Sequence, residues 1–171
     1  MFPLGHVGIG THLLPKPLRD RLPWRWLALG CLLPDILDKP VWLAAQWLGA
    51  ESPLFDTARM FGHTIFFLVA LLVAARRWRA SSWLLGLAYG VPTHFFLDVL
   101  TDAAMGGGFG VWKSWIAWPW ELPRLRTFLS ASPVEELGME LTSRTYLTGE
   151  LIGGALLLWD YLRQRNSNAA E

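Results

Sequence analysis

One cysteine, Cys31, stands in a chain of 171 residues, which excludes an intramolecular disulfide framework and a thiolate-cluster zinc site. Any metal here must be held by nitrogen and oxygen. Charge is scarce too: Asp, Glu, Lys and Arg together are 17% of the chain, and the formal net charge is +1. Basic residues form only short clusters, so nucleic-acid binding has no electrostatic footprint and is set aside. The opening residues, MFPLGHVGIGTHLLPKP, lack the basic stretch, apolar core and small-residue cleavage site of a secretory signal, and read as part of the mature fold. No internal repeat is present. Nor does any apolar run reach, uninterrupted, the about 20 residues of a straight membrane span.

What the chain has instead is apolar bulk. Hydrophobic residues are 53%, with 11 tryptophans, and mean hydropathy is +0.30, a profile of a membrane-seated protein. The apolar runs are separated by Pro, Gly and short basic turns at helical lengths, so the expected fold is all-α, a multi-helix membrane-associated bundle. Residues 1–165 read as one domain and 166–171 as a disordered tail. Basic residues at 76–79 and 163–165 would lie at one end of that bundle, as the positive-inside tendency predicts for a multi-pass protein of the inner (cytoplasmic) membrane. Short or tilted spans and a buried bundle both stay open on hydropathy alone.

Within this apolar background one stretch is anomalous. Gly90 to Asp102, GVPTHFFLDVLTD, carries His94, Asp98 and Asp102 at intervals of four, which on a helix puts them on one face, about 6 Å apart. Burying such groups among Phe95, Phe96, Leu97 and Leu100 is costly unless they are paired or bind a cation. A helical hairpin turning near residue 80 would bring His63 level with Asp98, with His94 one turn away. A second hairpin near residue 20 would bring His6, rather than His12, level with Asp35. Counting back from the basic end of the last apolar helix sets Glu150 near the height of His94. Asp38 and Asp102 read as groups that orient imidazoles or cap helices. The Gly- and Trp-rich stretch after Asp102 reads as a loop over the site or at the membrane interface.

Taken together, Gly5-His6, then GCLLPDILD, FGHTIFF and GVPTHFFLDVLT, then a Gly-containing loop and the pair Trp118-Pro119, resemble the membrane-bound metal-dependent hydrolase family, which includes inner-membrane hydrolases known as LexA-binding. The similarity covers roughly residues 5–120. That family is distantly similar to the all-α zinc-dependent phospholipases C and single-strand nucleases. The resemblance implies a phospholipase C-like core and a divalent metal, zinc above all, with His6, Asp35, His63, His94 and Asp98 as ligands. Glu150, nominated as a further ligand by its height beside His94, is with Tyr146 the nearest counterpart of the HxxxE pair on which the phospholipases end, and Tyr146 stands where their histidine would be. This chain also has His63 alone where the family has two histidines, and Asp38 near a position where it often has another. The implied activity is hydrolysis of a phosphoester or lipid at the membrane, with Asp35 or Asp98 as general base. The rival expectations are a non-catalytic membrane scaffold that binds a partner, and a metal or proton carrier using the same polar cluster.

Overall fold

A computed structural model describes residues 3–50, 55, 58–78, 82–105, 138 and 141–168. The described residues form helices and turns without strands. In chain order these are α1 (Pro3–Leu13), α2 (Lys16–Arg19), α3 (Trp24–Gly30), α4 (Leu33–Trp47), a 3₁₀ turn at Phe61–His63, α5 (Ile65–Arg77), α6 (Ser82–Ala104) and α7 (Arg144–Asn168). Helix α7 continues past residue 165, where the tail was expected to begin; residues 169–171 lie outside the described residues, as do most of the Gly- and Trp-rich stretch and the polar segment after it.

Local chemistry accounts for most boundaries. Pro23 and Pro34 sit at the starts of α3 and α4, where a missing N–H costs nothing. Pro40 lies inside α4, and Pro92 inside α6. The apolar run from Met60 to Ala75 is divided between the 3₁₀ turn and α5. Thr64 adopts an extended backbone and its hydroxyl accepts from Phe67 N–H at 3.1 Å, a side-chain N-cap that starts α5 two residues after His63. His63 therefore sits in a turn ahead of the helix.

Glycine governs how closely the helices approach. α6 is the central element, packing against α1, α3, α4 and α5, while α1 packs along α7. A Cβ on Gly90 would come within 2.6 Å of the Leu27 carbonyl on α3, and one on Gly153 of α7 within 2.2 Å of the Leu4 carbonyl on α1. Small-residue crossings of this kind let backbones touch where side chains would hold them apart.

Outside this interior much of the exposed surface is apolar. Phe66, Val69 and Val73 share one exposed face of α5, and Trp47 (91% exposed), Leu48, Leu151 (75%) and Trp159 extend the apolar surface over α4 and α7. Patches of this extent mark a partner or a lipid phase. α6, 23 residues long with an 18-residue window of mean hydropathy 1.3, is the one helix among the described residues long and apolar enough to cross a membrane, and 61% of that window is buried inside the fold.

The two adjacent glycines of α7 give a controlled test of the crossing. Gly153→Ala should lower thermal stability in detergent by roughly 1–3 kcal/mol through overpacking. Gly154→Ala, whose Cβ would meet only Leu4 Cδ1 at 3.7 Å, should be neutral or stabilise by up to about 1 kcal/mol through helix propensity. Equal effects would mean the crossing does not need its glycine.

Candidate metal centre

Three histidines and two aspartates from four elements meet beside the middle of α6. α1 supplies His6, α4 Asp35, the 3₁₀ turn His63, and α6 both His94 and Asp98. His6, His63 and His94 are at most 1% exposed and Asp98 3%. The donor atoms fall into two triads, His6/His94/Asp98 and Asp35/His63/His94, each with all its atoms within 4.8 Å of one another. Residues that sequence spacing nominated separately thus converge: His63 Nε2 lies 3.5 Å from Asp98 and 3.6 Å from Asp35.

The hydrogen bonds around the rings fix which nitrogen is available. His94 Nδ1 is 2.8 Å from the Cys31 carbonyl; a carbonyl can only accept, so Nδ1 carries the proton. His63 Nδ1 is 2.7 Å from Asp38 Oδ2 and donates to that carboxylate. With Nδ1 committed, the remaining nitrogen of each ring is Nε2, and the two Nε2 atoms face each other at 3.2 Å. Two lone pairs at that distance repel unless a proton or a metal ion lies between them. Asp35 Oδ1 completes the triad at 3.6 and 3.9 Å, close to the about 3.4 Å edge of a tetrahedron built on zinc bonds of 2.0–2.1 Å.

His6 gives an independent sign. Its ring stacks on His94 with centroids 4.1 Å apart, and although it is buried, neither ring nitrogen makes a hydrogen bond to any described residue. Buried imidazole nitrogens without partners are uncommon and call for an ion or a water. The nearest candidate is Asp98 Oδ1, 3.5 Å from Nε2. Since His94 has spent Nδ1, it has one lone pair for one ion, so the two triads describe a single centre unless Asp98 bridges to a second ion beside His6.

The supporting groups are equally defined. Asp38 lies outside both triads and accepts from the backbone N–H groups of Met60, Gly62 and His63 at 2.8, 2.8 and 3.2 Å, besides His63 Nδ1. It fixes the turn and the imidazole at once, as a carboxylate behind a metal-bound histidine does. Arg59, which sequence reasoning passed over, reaches Asp98 through Nε at 3.2 Å and Asp102 through a second nitrogen at 3.2 Å. Burial would lower the Arg59 pKa, but Asp98 and Asp102 outweigh it and raise it, keeping a cation in place. The available signal was Asp98 and Asp102 themselves: two carboxylates one turn apart in an apolar helix require a cation. Burial likewise pushes His63 down, while its hydrogen bond to Asp38 and the charges of Asp98 and Asp35 raise it above its ordinary value. A field that favours an added proton at this point also favours a metal cation.

Glu150 belongs elsewhere. Its two oxygens accept from Leu4 and Gly5 N–H at 3.1 and 2.6 Å, satisfying amides that the first turn of α1 leaves open. A height read along the chain placed it at the cluster; packing α7 against α1 turns it to that helix start instead. Its part is to anchor the helix that carries His6. His12, at the other end of α1, bonds the Gly8 carbonyl at 2.7 Å and faces Asp160 at 3.4 Å, away from the centre.

The Asp38 network predicts a local effect. Asp38→Ala should leave buried donors unsatisfied at about 1–3 kcal/mol each, and hydrogen exchange at Met60, Gly62 and His63 should quicken by about tenfold or more while α3 and α6 stay protected. Unchanged exchange there would exclude the carboxylate as the organiser of the turn.

Residues 1–166 match the model of a protein family described as YdjM inner membrane protein. Neither the curated proteins nor the solved structures contain a match to the chain.

Proposed function

The chain belongs to the YdjM inner membrane protein family, and from that premise and its His/Asp cluster we propose that it is a membrane-bound, metal-dependent hydrolase acting on a phosphoester or lipid. The observation that carries this reading is the pair of opposed Nε2 atoms at 3.2 Å, each with its Nδ1 already committed and with carboxylates alongside. The donor set, nitrogen and oxygen without sulfur, suits zinc.

A divalent ion held by His63, His94 and Asp98, whose Oδ2 lies 3.5 and 3.6 Å from the two Nε2 atoms, with Asp35 and His6 adjoining, would supply Lewis acidity and a water acidified toward neutrality. The residues themselves divide the remaining work. Asp98, buried and bound to Arg59, has little access to solvent and serves as a ligand. Asp35 is the partly open member: its side chain is 19% exposed, Oδ1 faces the imidazoles, and Oδ2 meets Lys39 Nζ at 3.0 Å. The mouth of the site is therefore on the Asp35 side, with Asp35 placed to take a proton and Lys39 to draw in an anionic ester.

Metal titration of purified, metal-stripped protein tests the first half. One tightly bound zinc per chain is expected, with affinity falling by about 100-fold or more in His63→Ala/His94→Ala; no bound zinc would sink the metal reading. Turnover of an aryl phosphodiester tests the second, with Asp35→Asn expected to reduce kcat by about 10²–10⁴-fold. Bound zinc without turnover, together with zinc uptake by vesicles containing the protein, would favour a carrier.

A further inference from the structure

The end of the bundle away from the metal centre collects positive charge. α1 and α7 run parallel, with Leu4 beside Glu150 and His12 beside Asp160, so the C-terminal ends of both helices lie together. α3 and α6 begin at that same end, where Trp26 packs on Trp83 with centroids 5.8 Å apart. Lys16, Arg19, Arg21 and Arg25 therefore share an end with Arg163 and Arg165, and Arg76 and Arg77 close α5 just before α6 starts. By the positive-inside tendency this end faces the cytoplasm, where the leaflet surface is negative.

This end also has a cavity. It occupies about 580 Å³ between α2, the start of α3 and the last turns of α7, and Lys16, Arg19 and Arg163 line it together with the aromatic rings of Trp24 and Tyr161. Asp20, Asp160 and Gln164 line it as well, and Asp160 already faces His12. Three cations suit a phosphate, while Asp20 and Gln164 offer acceptors for hydroxyl groups. From the cavity, α7 continues toward the centre of the bundle with Leu162, Leu158 and Leu151 all exposed. Spaced by four and seven residues, they form one apolar stripe along which an acyl chain can lie. Trp24, 49% exposed, and Tyr161, 60% exposed, are the residue types that sit at headgroup depth.

We propose that the cavity lined by Lys16, Arg19 and Arg163 binds the headgroup of an anionic phospholipid of the phosphatidylglycerol type, with its acyl chain along the leucine stripe of α7. The site is separate from the metal centre and does not depend on the hydrolase reading. Bound lipid would tie α2 and α3 to the end of α7.

The test uses the full chain in a neutral detergent, with phosphatidylglycerol or phosphatidylcholine added and retention read by native mass spectrometry. One phosphatidylglycerol per chain is expected to be retained in preference to phosphatidylcholine. Arg19→Gln/Arg163→Gln should weaken it by about 25-fold, at about 1 kcal/mol for each basic residue near an anionic surface. Arg76→Gln/Arg77→Gln, at the same end but outside the cavity, should retain it. Lys16→Gln, on the exposed α2, provides a second cavity variant should the arginine pair perturb folding, and circular dichroism checks helicity. Equal losses in the two arginine pairs would reduce the effect to general surface charge and overturn the site. Equal retention of the two lipids would overturn it as well, and displacement by inorganic phosphate at matched concentration would assign the cavity to a soluble phosphate.

Discussion

The arrangement rests on the carboxylate of Asp38. A strongly apolar segment ought to continue as helix through His63, and on such a helix the imidazole would point wherever the helical phase sent it. By gathering the N–H groups of Met60, Gly62 and His63 together with His63 Nδ1, Asp38 holds the segment in a turn and aims Nε2 at His94. The electrostatic demand of one buried anion is met wholly by the piece of chain that has to be shaped. Arg59 then enters from the same segment to neutralise Asp98 and Asp102, so a few residues before α5 organise much of the charge in the interior.

Much of the centre was legible because helical spacing and hydropathy carry physical information together. His94 and Asp98, four residues apart in an apolar run, had to share a face and had to be compensated. The hairpin between α5 and α6 brought His63 to their height even though His63 precedes the helix it was assigned to, since a few residues of irregular backbone shift height very little. His6 and Asp35 also reached the cluster, though His6 meets His94 and Asp98 there by stacking and proximity.

Glu150 shows what spacing leaves out. Distance along a helix gives a residue's height but neither its bearing nor the identity of the neighbouring helix. Those depend on Gly8 and Gly153, where the backbones of α1 and α7 touch, and nothing in a single sequence identifies which glycines will face each other. Arg59 was hidden for a different reason: it lies in irregular chain, where periodicity has no meaning, and only the unbalanced charge of α6 implied it. The all-helical fold and the membership of an inner-membrane family agree with composition, whereas multi-pass topology goes beyond the single span that helix length supports among the described residues.

The bond between His94 Nδ1 and the carbonyl of Cys31 joins two scales. Cys31 ends α3, and the glycines at 30 and 90 let α3 lie directly on α6, so the imidazole is oriented by helix contact as well as by its stack on His6. Sliding or rotating α3 by an ångström would release the ring, and an ion gripping the ring would in turn resist that slide. Ligation and helix packing are thus one thermodynamic linkage, through which events in the surrounding bilayer that strain α3 against α6 could reach the buried centre.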